Sequence, residues 1–182
     1  MQTGKSILAL SLLYIGVSLI NLNDAVEFKL TNAVCMSYNK SWVVMNTCRL
    51  KAISRNKTTF NFNCTILHPV NDFQLHGQIF KRANGYKPWL FNIRIDVCRF
   101  LIHPYNPLVS LVYRMAKEYS NFNHTCPYIG HQYVKDFYPR LELLRLPLPT
   151  GDYMLTTRWF YDRKLHLDAN ISFTFVEDLI NQ

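Results

Sequence analysis

The side chains that could carry out catalysis are scattered through this sequence. It contains six histidines, twelve acidic residues and five cysteines in 182 residues. No histidine lies in an H-E-x-x-H zinc motif or beside a G-x-S-x-G nucleophile elbow, and no motif selects a pair of carboxylates for glycoside hydrolysis. Asp152 follows Gly151, and we interpret it as a turn residue that enters a strand. We therefore predict no enzyme, no metal site and no cofactor.

The sequence has no C-x-x-C pair, the spacing typical of a zinc site. We therefore interpret the cysteines as disulfide-forming residues in an oxidising compartment. They are Cys35, Cys48, Cys64, Cys98 and Cys126. One of the five must stay unpaired, and fifteen schemes with two bridges are possible. Cys64 alternates in phase with the phenylalanines and the isoleucine around it, so we expect a buried free thiol there. The bridges we predict are Cys35–Cys48 and Cys98–Cys126.

The amino terminus has the pattern of a secretory signal. Lys5 precedes fourteen uncharged residues from Ile7 to Ile20, fewer than the ~20 apolar residues that a membrane-spanning helix needs. We predict a signal peptide over residues 1–25, with cleavage after Ala25, and a single domain over 26–182. An uncleaved membrane anchor is the alternative interpretation.

Five N-x-[ST] sequons support the same compartment, because about two are expected by chance from so short a pattern. They begin at Asn39, Asn56, Asn63, Asn123 and Asn170. An occupied sequon must face solvent. The sequence therefore predicts a secreted, extracellular glycoprotein.

Alternation of apolar and polar residues with a period of two predicts a mainly β fold. The clearest run is 165–175, where one face is apolar and the other polar, as in an antiparallel sheet. Asn84-Gly85 predicts a hairpin turn. The other predicted strands are 28–34, 42–53, 60–66, 73–81, 89–97, 132–137 and 153–161. About eight strands indicate a two-sheet antiparallel sandwich.

One segment changes the period. Asn106 precedes Pro107, the order expected of an N-cap residue and the first residue of a helix. Apolar residues then follow at spacings of three and four, which gives one apolar stripe. They are Leu108, Leu111, Val112, Met115, Tyr119 and Phe122. We predict one helix inserted at about 107–121.

The chain is basic and rich in aromatic residues, with a net charge of +8 and 14% aromatics. Such a charge suits a nucleic-acid partner in a nuclear protein. The Lys and Arg residues are spread along this chain, however, and we predict no nucleic-acid partner. The densest basic patch is Lys81, Arg82 and Lys87. It is interpreted either as a solvated face or as a contact with acidic head groups, glycans or a receptor.

Six short motifs occur in a fixed order along the chain, at 48–52, 81–90, 106–107, 118–120, 123–128 and 148–153. This series resembles the DUF1091 family of small secreted insect proteins, of DM8 type, which includes CheB-like chemosensory members. The resemblance covers roughly 28–175. That family is distantly similar to lipid-recognition sandwiches of the ganglioside-activator type. The resemblance implies an immunoglobulin-like sandwich that holds an apolar ligand. It also implies four cysteines matching Cys35, Cys48, Cys98 and Cys126, from which Cys64 departs.

The apolar interior allows two hypotheses, because a packed core and a ligand cavity need the same lining. The lining we expect is Trp89, Phe91, Leu111, Met115, Trp159, Phe173 and Phe175. The leading hypothesis is a secreted, non-catalytic binding protein that carries or senses a lipid or another apolar ligand. The alternative is an extracellular module with a fully packed core that engages a membrane receptor or channel. A void of ~300 Å³ or more between the sheets would favour the first hypothesis.

Overall fold

The computed structural model describes residues 27–55, 57–140 and 148–176. The predicted signal peptide, its cleavage site and the Asn56 sequon lie outside the described residues. The strands are β1 (Glu27–Ser37), β2 (Val43–Ser54), β3 (Lys57–Val70), β4 (Phe73–Arg82), β5 (Tyr86–Asp96), β6 (Tyr128–Phe137), β7 (Gly151–Tyr161) and β8 (Lys164–Val176). The helices are α1 (Val97–Ile102) and α2 (Pro107–Ala116), followed by a 3₁₀ turn (Lys117–Tyr119). In the described part of the chain, no helix has the length and hydropathy needed to cross a membrane.

The strands form two antiparallel sheets of unequal width. The wide sheet has the order β1-β8-β7-β4-β5, and the narrow sheet has the order β2-β3-β6. The inner faces pack through aromatic side chains: Phe62 of β3 contacts Trp159 of β7, with ring centroids 5.5 Å apart. Phe73 of β4 similarly contacts Tyr128 of β6 at 5.9 Å. The predicted mainly β, two-sheet antiparallel sandwich is confirmed.

The Asn84-Gly85 turn joins β4 to β5 as predicted. Both residues have positive φ angles, 38° and 92°, which Asn and Gly adopt at lower cost than other residues. At its other end β5 stops at Asp96, whose carboxylate oxygen accepts a hydrogen bond from the backbone N–H of Arg99 at 3.0 Å. This N-cap starts helix α1, which the sequence analysis did not predict because the apolar residues that follow Asp96 extend the strand pattern.

The helix predicted at about 107–121 is present as α2 and the 3₁₀ turn. The side-chain oxygen of Asn106 accepts from the backbone N–H of Val109 at 3.1 Å, and Pro107 occupies the first turn. The insert lies in the connection between β5 and β6, at the edge of the wide sheet.

Two disulfides connect these elements in the predicted pairs. Cys35–Cys48 joins β1 of the wide sheet to β2 of the narrow sheet, with Cα atoms 5.9 Å apart. Cys98–Cys126 joins α1 to the segment before β6, at 5.4 Å. Cys64 of β3 is a buried free thiol. The two bridges therefore tie one sheet to the other and the helical insert to the sandwich.

Candidate functional site: an apolar cavity under helix α2

A cavity of about 240 Å³ lies against the inner face of the wide sheet. The sheet residues that line it come from all five strands of that sheet and are Phe28, Leu30, Leu75, Gly77, Gln78, Ile79, Phe91, Ile93, Ile95, Leu155, Thr157, Ile171 and Phe173. The narrow sheet has only three strands, and it contributes Phe60 and Phe137. The cavity therefore lies where the wide sheet extends beyond its narrower partner.

Helix α2 supplies the opposite wall. Its lining residues are Leu108, Val109, Val112 and Met115, which share one helical face. Leu108, Val112 and Met115 belong to the predicted apolar stripe, whereas Val109 was not predicted. Met115 is buried, whereas Val112 is also exposed to solvent. Helix α2 thus forms the boundary between the cavity and the solvent.

The lining is almost entirely hydrocarbon. Among the described residues that line it, Gln78 and Thr157 are the polar side chains and none is ionisable. At Gly77 of β4, an added Cβ would meet no atom within 4 Å, so the missing side chain opens space in the cavity. These described side chains can bind an apolar molecule through apolar burial, and none of them is an acid, a base or a nucleophile.

The volume limits what could bind. About 240 Å³ is below the ~300 to 1,000 Å³ typical of pockets for drug-sized ligands. It is larger than the ~150 Å³ apolar cavity that holds benzene in an engineered protein. The cavity volume is also below the ~300 Å³ that favours ligand carriage. The cavity therefore suits a small or slender apolar molecule better than a lipid with several chains.

Three residues of the expected lining are brought together here. Phe91, Met115 and Phe173 all line the cavity. The other four do not: Trp89 is exposed, Leu111 is half-buried on a neighbouring part of α2, and Phe175 is buried in the core near the end of β8. Trp159, the fourth, packs between the two sheets.

Trp159 fills the space between the sheets instead of lining the cavity. Along β7, Leu155 and Thr157 line the cavity, and Trp159 is the next residue on that face. Its ring lies 5.4 Å from the rings of Phe73 and Phe122, and its Nε1 donates to Oγ1 of Thr157 at 3.2 Å. The indole is therefore part of the packed core beside the cavity.

Sequence reasoning missed several lining residues, among them Leu75, Ile79, Ile93 and Ile95. The signal was present in β5, where Phe91, Ile93 and Ile95 alternate with polar residues. Alternation shows which face points inward, but it does not show where the facing layer leaves a gap. The position of this gap depends on how the two sheets and α2 are arranged.

Buried polar groups lie elsewhere, at the Cys64 side of the core. Burial raises the pKa of the Cys64 thiol to about 12, and burial also raises the pKa of Tyr161 well above its ordinary value. The Tyr161 ring stacks on His166 at 5.2 Å. Among the residues that the structure describes, His166 Nδ1 and the Tyr161 hydroxyl have no hydrogen-bond partner, and both atoms are buried. Within the described residues, no group of three or more His, Cys, Asp or Glu side chains could hold a metal ion.

Four of the five sequons lie in the described residues. Asn123 is exposed, whereas Asn39, Asn63 and Asn170 are half-buried. The Asn170 side chain accepts a hydrogen bond from Thr156 Oγ1 at 2.7 Å, and that of Asn39 accepts from Ser41 Oγ at 2.6 Å. Asn123 is thus the most accessible acceptor among the four.

Part of the chain is similar to a known protein family. The model of a family described as "Protein of unknown function (DUF1091)" matches residues 75–155, somewhat less than half of the chain. The match supports the resemblance noted in the sequence. It includes β5, α1, α2 and β6, and with them the helical wall of the cavity. No curated protein matches the chain.

Proposed function

We propose that this chain is a DUF1091-family binding protein that holds one small or slender apolar molecule between the wide sheet and helix α2. The observation that carries the proposal is the cavity of about 240 Å³ with its uncharged, hydrocarbon lining. Apolar burial at roughly 25 cal/mol per Å² is the driving force that such a lining provides. The protein is non-catalytic and needs no cofactor for this activity.

The proposal includes a secreted, extracellular location. Two disulfides support it, because such bridges form and persist in oxidising compartments. The sequons and the signal-like amino terminus support it independently. Carriage or sensing of an apolar chemical between cells, as in a chemosensory fluid, is the role that follows. The alternative of a receptor-binding module with a fully packed core has less support, because that hypothesis requires the cavity to be filled.

The test fills the cavity at Gly77. An added Cβ there meets no atom within 4 Å and Gly77 lines the cavity, so the side chain of Gly77→Leu is expected to enter the cavity and to occupy volume that the ligand needs. The neighbouring variant His76→Leu adds the same side chain at a position that does not line the cavity and serves as the matched control. Binding is followed by the fluorescence of N-phenylnaphthylamine, and native mass spectrometry of the secreted protein detects copurified apolar molecules.

We expect the wild type and His76→Leu to bind the probe and Gly77→Leu to bind it at least tenfold more weakly. Equal binding by all three proteins would place the probe outside the cavity and contradict the proposal. So would a wild type that binds no probe and carries no apolar molecule.

A further inference from the structure

The end of the β4–β5 hairpin, residues 81–90, exposes apolar side chains that the sandwich does not cover. Tyr86 is 39% exposed, Trp89 37% and Leu90 54%. The first five residues of β5 are all exposed, so neither face of the strand is covered there. We call this segment the hairpin tip.

The hairpin tip is also positively charged. It carries Lys81, Arg82 and Lys87. Asp152 pairs with Arg82 at 3.7 Å, and both side chains are largely exposed. An exposed ion pair of this kind contributes little, and the tip with this carboxylate retains a net positive charge. Basic and aromatic side chains thus lie together on a largely exposed surface.

A chain of ring contacts links the hairpin tip to the cavity. Lys81 Nζ lies 5.1 Å from the centre of the Trp89 ring and 5.7 Å from that of Tyr153. The Tyr153 ring stacks on Phe173 at 5.4 Å, with planes 17° apart, and Phe173 lines the cavity. The hairpin tip is therefore connected to the cavity lining through Tyr153 and Phe173.

We propose that the hairpin tip docks on the surface of an anionic phospholipid bilayer. Trp and Tyr rings favour the interface between head groups and hydrocarbon. Leu90 adds apolar contact when the bilayer covers it. Lys and Arg are attracted to anionic head groups, with an effect that falls within a Debye length. Charge complementarity and interfacial side chains thus coincide in one ten-residue segment. The docking stands independently of whether the cavity binds a ligand.

The experiment measures cosedimentation with vesicles made of equal parts phosphatidylcholine and phosphatidylserine, against vesicles of phosphatidylcholine alone. The variant Arg82→Gln/Lys87→Gln removes two charges from the hairpin tip. The matched control Arg163→Gln/Lys164→Gln removes two exposed charges at the β7–β8 turn, the opposite end of the same sheet. Since each basic residue near an anionic surface strengthens binding about fivefold, we expect the tip variant to bind about 30-fold more weakly. The control variant is expected to bind as the wild type does.

Tryptophan emission provides a second readout that does not depend on charge. Binding to the anionic vesicles is expected to shift the emission of the wild type to shorter wavelength, and Trp89→Phe is expected to lose the shift while still sedimenting. Circular dichroism checks that each variant is folded. Equal losses in the two double variants, a shift that survives in Trp89→Phe, or absence of binding to the anionic vesicles would each overturn the proposal. Failure of the probe assay at Gly77 would leave it standing.

Discussion

The side-chain oxygen of Asn106 accepts a hydrogen bond from the backbone N–H of Val109 at 3.1 Å, and Val109 lines the cavity. One local hydrogen bond thus connects a pattern visible in the sequence to the wall of the candidate site. The backbone carbonyl of Asn106 also accepts from the N–H and the hydroxyl of Ser110. Asn106 therefore holds the first turn of α2 in place over the wide sheet.

Replacing Asn106 with alanine is expected to lower the free energy of unfolding by about 1 kcal/mol, the usual cost of losing an N-cap side chain. The first turn of α2 carries Leu108 and Val109, so binding of the apolar probe is expected to weaken as well. Chemical denaturation and probe titration measure the two effects. Asn106→Asp keeps a capping oxygen and is the control. If the cap did not stabilise α2, Asn106→Ala would be as stable as Asn106→Asp.

The local features of the fold were predictable because each depends on residues close in sequence. The Asn106 cap, the Asn84-Gly85 turn and the alternation through β8 each have their physical cause within a few residues. Helix α1 was missed because Asp96, its cap, lies within an apolar alternating run that favours a strand.

The site was predictable only in part, because a cavity depends on what the opposite layer leaves uncovered. Phe173 and Trp159 are both large inward residues on adjacent strands, and the sequence does not distinguish them. In the structure the first borders the cavity and the second packs against the narrow sheet. Trp89 belongs to the same inward pattern but falls beyond the covered part of β5, where it is exposed.

Ile95 is a buried residue of the wide sheet and lines the cavity. Its substitution therefore tests the part of the cavity wall that the sheet forms. Ile95→Ala enlarges the cavity and is expected to lower the free energy of unfolding by about 2 kcal/mol, near the low end for such substitutions because one side of Ile95 already faces a void. Ile95→Val is the graded control, with a cost of about 1 kcal/mol. Chemical denaturation measures both. Equal stability of all three proteins would contradict this placement of Ile95.

The Cys98–Cys126 disulfide closes a loop with a sequence separation of 28 residues, which contains most of α1 and all of α2. Replacing both cysteines with alanine is expected to cost about 3 to 4 kcal/mol, mainly because the unfolded chain gains freedom. Denaturation of the oxidised double variant against the wild type measures this loss. Peptide mapping of the wild type is the direct check, and a Cys98 or Cys126 found in a different bridge would contradict the assignment.

Cys64 is expected to resist alkylation at neutral pH. Burial raises the pKa of its thiol to about 12, so the reactive thiolate is a minor species and the sulfur is also shielded. Iodoacetamide should label Cys64 only after guanidinium unfolds the protein, with mass spectrometry as the readout. Cys64→Ala identifies the labelled position. Rapid labelling of the folded protein would show that the thiol is accessible.

His166 is expected to make stability fall as the pH drops below about 6.5. Burial lowers the pKa of His166 from its ordinary value of 6.5; Asp162 raises this pKa, Lys164 lowers it, and a hydrogen bond with the Tyr161 backbone raises it, with a net lowering. The rings of Trp42 and Tyr161 flank the imidazole at 5.0 and 5.2 Å. Because the unfolded chain binds the proton more tightly than the folded one, the stabilisation is present above 6.5 and is lost as the pH falls through the lower pKa of the folded state.

The free energy of unfolding of the wild type and of His166→Gln, measured at a series of pH values, isolates this contribution. The wild type should lose stability more steeply below pH 6.5 than the variant, and His103→Gln, at an exposed position, is the matched control. If His166→Gln does not fold, an NMR titration of His166 in the wild type gives the same answer through its midpoint. A midpoint at or above 6.5 would contradict the prediction, because burial of the imidazole disfavours its charged form.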